Sequence, residues 1–290
     1  MQNVLSLLVQ APHYIFGRFQ LVRSAYGLAR GIEQRVTPPP STIRVGEKFG
    51  EPLHEITPAK SPFVQNVMPN QAHVNNLHDY AFSPGLRLIP HAVDHLRKWA
   101  QTSPLMHSEK PLPPIDELQA DEALLKKFAI AEIRNCSEDA VIQSIAGDRD
   151  ILDVISRYLG YVPSQAGAWL FWSLRTNLTI AEREAAQQTV RFHYDVHGYN
   201  FIYVNFYLQD TDERTGAHVL IESSHRDKKP RHLLGSARLD DDQAYRDYGV
   251  DRFRVLRGPA GTGFFEDTTC YHKALAPIDR PRLMLQFRYQ

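Results

Sequence analysis

The sequence predicts an α+β fold whose β core lies in the C-terminal half, with helices packed on it. Three observations carry this. Before Gly160 the chain holds segments rich in helix formers, with apolar residues at helical spacing. After Gly160 it turns to short runs rich in Val, Ile, Phe, Tyr and Trp, divided by Gly, Pro and Asp. Its 290 residues suit one large domain, or one domain with a substantial extension, and can bury a core without disulfide staples.

Residues 1–36 interleave Arg18, Arg23, Arg30 and Arg35 with Leu5, Leu8, Val9, Ile15, Phe16, Phe19, Leu21 and Val22. Two readings stand: a helix packed on the main domain, or a basic amphipathic segment resting on a membrane surface. Pro12 argues against one long helix. The seven prolines between Pro38 and Pro69 predict an extended, irregular connection. Residues 1–70 are therefore expected to form an N-terminal extension, and residues 71–290 a domain with its β core at 165–290. Helices are predicted over His91–Gln101, Asp116–Asn135 and Glu138–Leu159, the last stopped by Gly160. AWLFWSL, TVRFHYDV, NFIYVNFYLQD, HVLIESS, GTGFFED and RLMLQFRY read as strands. Asn200–Leu208 alternates, with Phe201, Tyr203, Asn205 and Tyr207 on one face.

Lys plus Arg and Asp plus Glu both number 33, so no global field favours nucleic acid, and none is expected as a partner. Cys136 and Cys270 lie far apart and outside any zinc spacing, which suits a reducing, cytoplasmic setting. No run of about 18 apolar residues is present. The apolar start lacks a preceding basic residue, so the mature chain is expected to begin near Met1.

The chemistry-bearing stretch is Arg191-Phe192-His193-Tyr194-Asp195. Residues two apart in a strand point the same way, so His193 and Asp195 can present an imidazole and a carboxylate side by side. His272, from a distant strand, is the candidate third ligand. Two histidines and one carboxylate suit non-heme iron(II) and leave positions open, unlike a structural zinc site. Ten residues further on, Arg282 offers a guanidinium fork for a carboxylate, such as the far end of a dicarboxylic cosubstrate chelating the metal.

The segment from Gln188 to Tyr289 resembles the phytanoyl-CoA dioxygenase-like branch of the iron(II)/2-oxoglutarate oxygenases. The matching pieces are Gln188 with HYD (193–195), YLQDTDERTGAHVLIESSHR (207–226), GTGFFEDTTCYHKA (261–274) and RPRLML (280–285). YLGYVP (158–163) and AWLFWS (168–173) also look like the family's upstream stretch. The resemblance covers roughly residues 150–290. It implies a double-stranded β-helix, a jelly-roll or cupin-like barrel. It implies Fe(II) on His193, Asp195 and His272, and 2-oxoglutarate paired with Arg282, with Gln188 and Asn205 also at the cosubstrate. For Asn205 a polar place on the barrel's wet face is the equal alternative. The implied reaction consumes O2, releases succinate and carbon dioxide, and hydroxylates an unactivated C–H bond of a small-molecule, lipid or glycan substrate. Family members that halogenate lack the carboxylate, so Asp195 favours hydroxylation or a related oxidation.

Two departures stand out. Ser223-Ser224-His225 replaces the family's frequent Gly-Ser-His; that position reads as a tight turn, with His225 held structurally. Ala274 stands where some members carry a polar group near the cosubstrate, so another residue must fill that role. His197 reads as a loop residue near the mouth, and His218 as structural. Lys228, Lys229, Arg231 and Arg238 lie in a charged stretch, expected either to meet an anionic substrate or to form a solvated face. The competing classes are a cupin-type metalloenzyme that does not use 2-oxoglutarate, and a non-catalytic binding protein on the same fold.

Overall fold

The computed structural model describes residues 12–47, 54–185 and 190–290. Eight strands form its core: β1 (Gln165–Ser173), β2 (Phe192–His193), β3 (Ile202–Tyr207), β4 (His218–Ile221), β5 (Phe253–Leu256), β6 (Thr262–Glu266), β7 (His272–Ala274) and β8 (Arg282–Tyr289). One sheet runs β6-β3-β8-β1 and the other β2-β7-β4-β5, and all these pairings are antiparallel. Successive strands thus pass from one sheet to the other, except that β4 and β5 pair within the smaller sheet; this is the double-stranded β-helix that the resemblance implied.

The larger sheet does not stop at these strands. Val64–Asn66 and Phe82–Leu88 extend it beyond β6. Ile130–Ile133, Leu105–His107 and Lys110–Leu112 extend it beyond β1. Ile43–Gly46 also pairs with β1, in parallel. The expected order of helices followed by strands is therefore corrected: the first half of the chain contributes strands to the same sheet, including Ile43–Gly46 and Val64–Asn66 from the proline-rich connection. The helix predicted over Asp116–Asn135 is also corrected. Asp121 ends Ile115–Ala120 and caps Glu122–Leu125 by accepting from Ala123 and Leu124 amides, and Ile130–Ile133 is a strand. Pairing with β1 makes that segment a strand, which its two β-branched isoleucines favour. Glu138–Leu159 divides into Ala140–Ala146 and Arg149–Leu159, because Asp148 caps the second helix afresh. Pro90–Thr102 matches the expected helix closely.

Alternation sorts the side chains of the large sheet. Leu170, Trp172, Leu283, Leu285 and Phe287 point to its outer side and pack with Leu77, Leu96, Ile145 and Ile155 of the covering helices. Phe171, Ser173, Tyr203, Arg282 and Gln286 point inward, toward the small sheet. Burying the helix-packed layer supplies most of the hydrophobic stabilisation. The inward face is left free to be polar.

Gln20–Val36 is a helix docked on this domain. Arg18 donates to the carbonyls of Leu233 and Gly235, and Arg23 is buried. The described part of residues 1–36 thus packs on the main domain, while residues 1–11 lie outside the described residues. Among the described residues no helix is long and apolar enough to cross a membrane.

Candidate metal centre

The strand carrying His193 is shorter than expected. Only Phe192–His193 pairs, and Asp195 lies beyond it. Phe192 faces the outer apolar cluster and His193 the cavity. Asp195 is instead placed by the turn that follows β6: its amide donates to the Thr268 carbonyl at 2.8 Å. The same turn leads into β7, where His272 sits directly opposite His193. One turn therefore holds Asp195 and delivers His272.

Metal-binding atoms of His193, Asp195 and His272 lie within 4.8 Å of one another. Each imidazole Nε2 is close to an Asp195 oxygen, at 3.8 Å for His193 and 3.9 Å for His272. Both separations are below twice a metal–nitrogen bond of about 2.1 Å. The other ring nitrogens are engaged alike: His193 Nδ1 lies 3.2 Å from the Arg191 carbonyl and His272 Nδ1 3.1 Å from the Cys270 carbonyl. A carbonyl can only accept, so Nδ1 carries the proton and the Nε2 lone pair faces the centre.

Electrostatics favour the same protonation states. Burial, and next the neighbouring His272, pushes the His193 pKa down, so its ring stays neutral. Burial alone would raise Asp195. The neighbouring His272, His193 and His197 outweigh it and hold the carboxyl below its usual range. A second cluster, Glu266, Cys270 and His272, shares one histidine. Burial pushes the Cys270 thiol far up, so it stays protonated and is a poor ligand. Glu266 is taken by Asn205 and His218. The first cluster is the better site.

A cavity of about 290 Å³ opens from the triad between the two sheets, with Arg282 in its wall. The Arg282 side chain is 2% exposed. It donates to the Gly216 carbonyl and, at 2.8 Å, to Ser173 Oγ, while its Nε has no partner. Gly216 has a φ of +90°, and a Cβ there would meet Pro277 at 2.8 Å, which explains the glycine of the Thr215-Gly216 turn. Among the described residues no carboxylate is ion-paired with Arg282. A buried, uncompensated cation is costly, so its presence at a cavity wall suits an anionic ligand.

The other expected site residues fall elsewhere. Asn205 is fully buried and does not line the cavity. Its amide donates to Glu266 at 3.0 Å and accepts from Gln286 at 2.9 Å, which places it inside the wall. Gln188 lies outside the described residues. His197 Nε2 is 3.8 Å from Asp195 Oδ2, beside the triad. His225 is hydrogen-bonded to the His78 carbonyl, and Ser223 has a φ of +61°, the conformation a glycine favours. The charged stretch is self-paired: Lys229 and Arg231 bind Asp247, and Lys228 donates to three backbone carbonyls.

Sequence reasoning missed two groups. His218 lines the cavity, directly across the strands from Ala274, with Nδ1 3.2 Å from Glu266. The open role at Ala274 was the one available signal. Asp267, fully buried, binds Arg23 at 3.0 Å and the Tyr158 hydroxyl at 2.5 Å. Arg23 also donates to Thr269 Oγ1. The N-terminal helix thereby braces the turn that carries both Thr268 and His272. A lone arginine in an amphipathic segment gives no sequence sign of this.

No known family's sequence profile matches the chain, and no curated protein sequence matches it. Solved structures do align. HygX from Streptomyces hygroscopicus, with nickel and 2-oxoglutarate bound, is 12% identical over 77% of this chain and 87% of its own, with a TM-score of 0.48. SnoN, a non-heme alpha ketoglutarate dependent epimerase from nogalamycin biosynthesis, is 12% identical over 76% and 82%, with a TM-score of 0.48. AviO1 from Streptomyces viridochromogenes Tue57 is 12% identical over 78% and 96%, with a TM-score of 0.45. These are distant likenesses, and the chemistry must be read from this chain's own side chains.

Proposed function

We propose that the chain is an iron(II)- and 2-oxoglutarate-dependent oxygenase that hydroxylates a C–H bond of a small organic substrate. The observation that carries the reading is the pairing, in one cavity, of a two-histidine, one-carboxylate cluster with a buried arginine that lacks an acidic partner. The donor set suits iron(II) with open positions. The arginine suits the far carboxylate of a dicarboxylic acid. The phytanoyl-CoA dioxygenase-like order of motifs supports the same assignment.

His193, Asp195 and His272 would hold the metal, with the two imidazoles neutral and the carboxylate ionised. Bound iron(II) and 2-oxoglutarate supply the oxidising power: the 2-oxo acid and O2 become succinate and carbon dioxide, and one oxygen atom enters the substrate C–H bond. Arg282 would orient the cosubstrate, its guanidinium held by Ser173 and the Gly216 carbonyl. His218, fixed by Glu266, forms the neighbouring wall and answers for the polar group absent at Ala274. Phe171, Leu174, Leu275 and Pro277 exclude water from the same space.

The test is metal and cosubstrate dependence. Protein loaded with iron(II) should convert 2-oxoglutarate to succinate, and nickel(II) protein should bind 2-oxoglutarate without turnover. A protein that binds neither nickel(II) nor 2-oxoglutarate would falsify the reading. Metal binding without 2-oxoglutarate binding would favour the cupin-type alternative.

A further inference from the structure

The cavity at the triad continues along the inner face of the large sheet. A second space of about 180 Å³ adjoins it, and Ile130, Phe171, Tyr203 and Gln286 line both. Glu132 and Trp169 complete the second space. Strand register explains the grouping. Glu132 pairs with Phe171, Trp169 with Gln286, and Tyr203 with Arg288. Arg288 sits over the Trp169 ring at 5.3 Å and is hydrogen-bonded to Tyr203. The result is a trough with an aromatic surface and polar groups around it, leading to the triad.

Glu132 is the unusual member. It is half-buried, yet it makes no hydrogen bond or ion pair among the described residues. Gln286 gives its amide N–H to Asn205, which leaves its carbonyl oxygen as an acceptor. The trough therefore offers a carboxylate and an amide oxygen as acceptors beside indole and phenyl rings, with the Arg288 guanidinium packed next to it on Trp169.

We infer that this trough is the primary-substrate subsite and that it takes a saturated ring bearing several hydroxyl groups, a glycosyl unit. The inference rests on the oxygenase reading. Hydroxyls donate as well as accept, so they satisfy the acceptors of Glu132 and Gln286 together. An alkyl chain would leave the Glu132 carboxylate desolvated and unpaired, which is costly. A phosphate-bearing ligand such as an acyl-CoA would meet the repulsion of Glu132. A simple ammonium would satisfy Glu132 but face Arg288. The C–H face of a saturated ring buries well against Trp169 and Phe171.

Ligand-observed NMR on protein loaded with nickel(II) and 2-oxoglutarate tests this. The probes are a panel of neutral methyl glycosides, glucosamine, and octanoyl-CoA. The expected result is saturation transfer to the ring protons of at least one methyl glycoside. Glu132→Gln should weaken that binding about tenfold, as expected for a lost hydrogen bond to a charged group. Trp169→Ala should weaken it as well, with nickel(II) and 2-oxoglutarate still bound. Transfer confined to glucosamine or to the acyl chain, transfer to no probe, or glycoside binding indifferent to both substitutions would each overturn the inference. Those outcomes leave the oxygenase reading standing when nickel(II) and 2-oxoglutarate bind; failure of both to bind removes that reading first.

Discussion

The two ends of the cavity are built in different ways. At the triad, His193 and Asp195 are near neighbours in the chain, and their side chains remain 25% and 21% exposed. They are held by backbone carbonyls and by one turn. At the other end Arg282 is almost wholly buried, gripped by Ser173 of the adjacent strand and by the carbonyl of a glycine turn. On the proposed oxygenase reading the triad end needs access, because ligands and substrate would exchange there. The arginine end needs a low dielectric, because a charge pair formed away from water is stronger and more selective. One site thus combines an open centre with a closed anchor.

The most damaging change should be Asp195→Ala. Succinate formation in the presence of substrate should disappear, while circular dichroism and melting temperature stay near those of the parent, because Asp195 lies outside the hydrophobic clusters. Retained turnover in a folded, iron-loaded variant would break the assignment of the open end.

Next comes the brace behind that end. Arg23 and Asp267 are 3% and 0% exposed, and removing one partner strands the other charge. Arg23→Met should cost about 3–5 kcal/mol of stability in denaturant titrations. Its folded fraction should also bind nickel(II) more weakly, because the turn bearing Thr268 and His272 loses its support. A loss of stability with unchanged metal affinity would show the helix to be scaffold only.

A pH series separates the scaffold from both ends. His73 is fully buried between Asn66 and Ser83, and burial lowers its pKa to about 4. The unfolded chain takes up this proton near the ordinary value of about 6.5. Stability from this group is therefore complete above about 6.5 and is lost as pH falls toward about 4, by at most about 3 kcal/mol. His73→Gln should flatten that part of the stability profile. An unchanged slope would mean that other groups dominate.

The smallest change is expected at the closed end. Arg282→Ala should weaken 2-oxoglutarate binding by about 1.5–3 kcal/mol, measured by calorimetry on nickel(II) protein. Nickel(II) affinity should barely move. Equal loss of metal and cosubstrate binding would show that the two ends are one structural unit.

Much of the site could be read from the chain because its chemistry is local or ordered. The His-x-Asp spacing, the later histidine and the arginine ten residues beyond it were legible through ligand chemistry, although a turn and not strand alternation places Asp195. The C-terminal strands were legible from composition, although β2 is shorter than the pattern suggested. Asn205 shows the limit. Alternation assigned it a face, but the neighbouring strands bring Glu266 and Gln286 to either end of its amide and draw it into the wall. Ile130–Ile133 shows another: the composition of Asp116–Asn135 as a whole suggested a helix, and pairing with β1 makes this part of it a strand.

Residue types and their order in the chain were enough to suggest a donor set, a candidate anion-binding arginine and a C-terminal β core, because bonding preference and side-chain periodicity are written residue by residue; the barrel itself came from the family resemblance. Packing alone decided that Arg23, 244 positions before Asp267, would brace the centre, that His218 would stand opposite Ala274, and that Glu132 would face Trp169 beside the cavity. Such contacts depend on which surfaces meet when the chain buries its apolar area. That is a property of the whole fold, and no short stretch of sequence carries it.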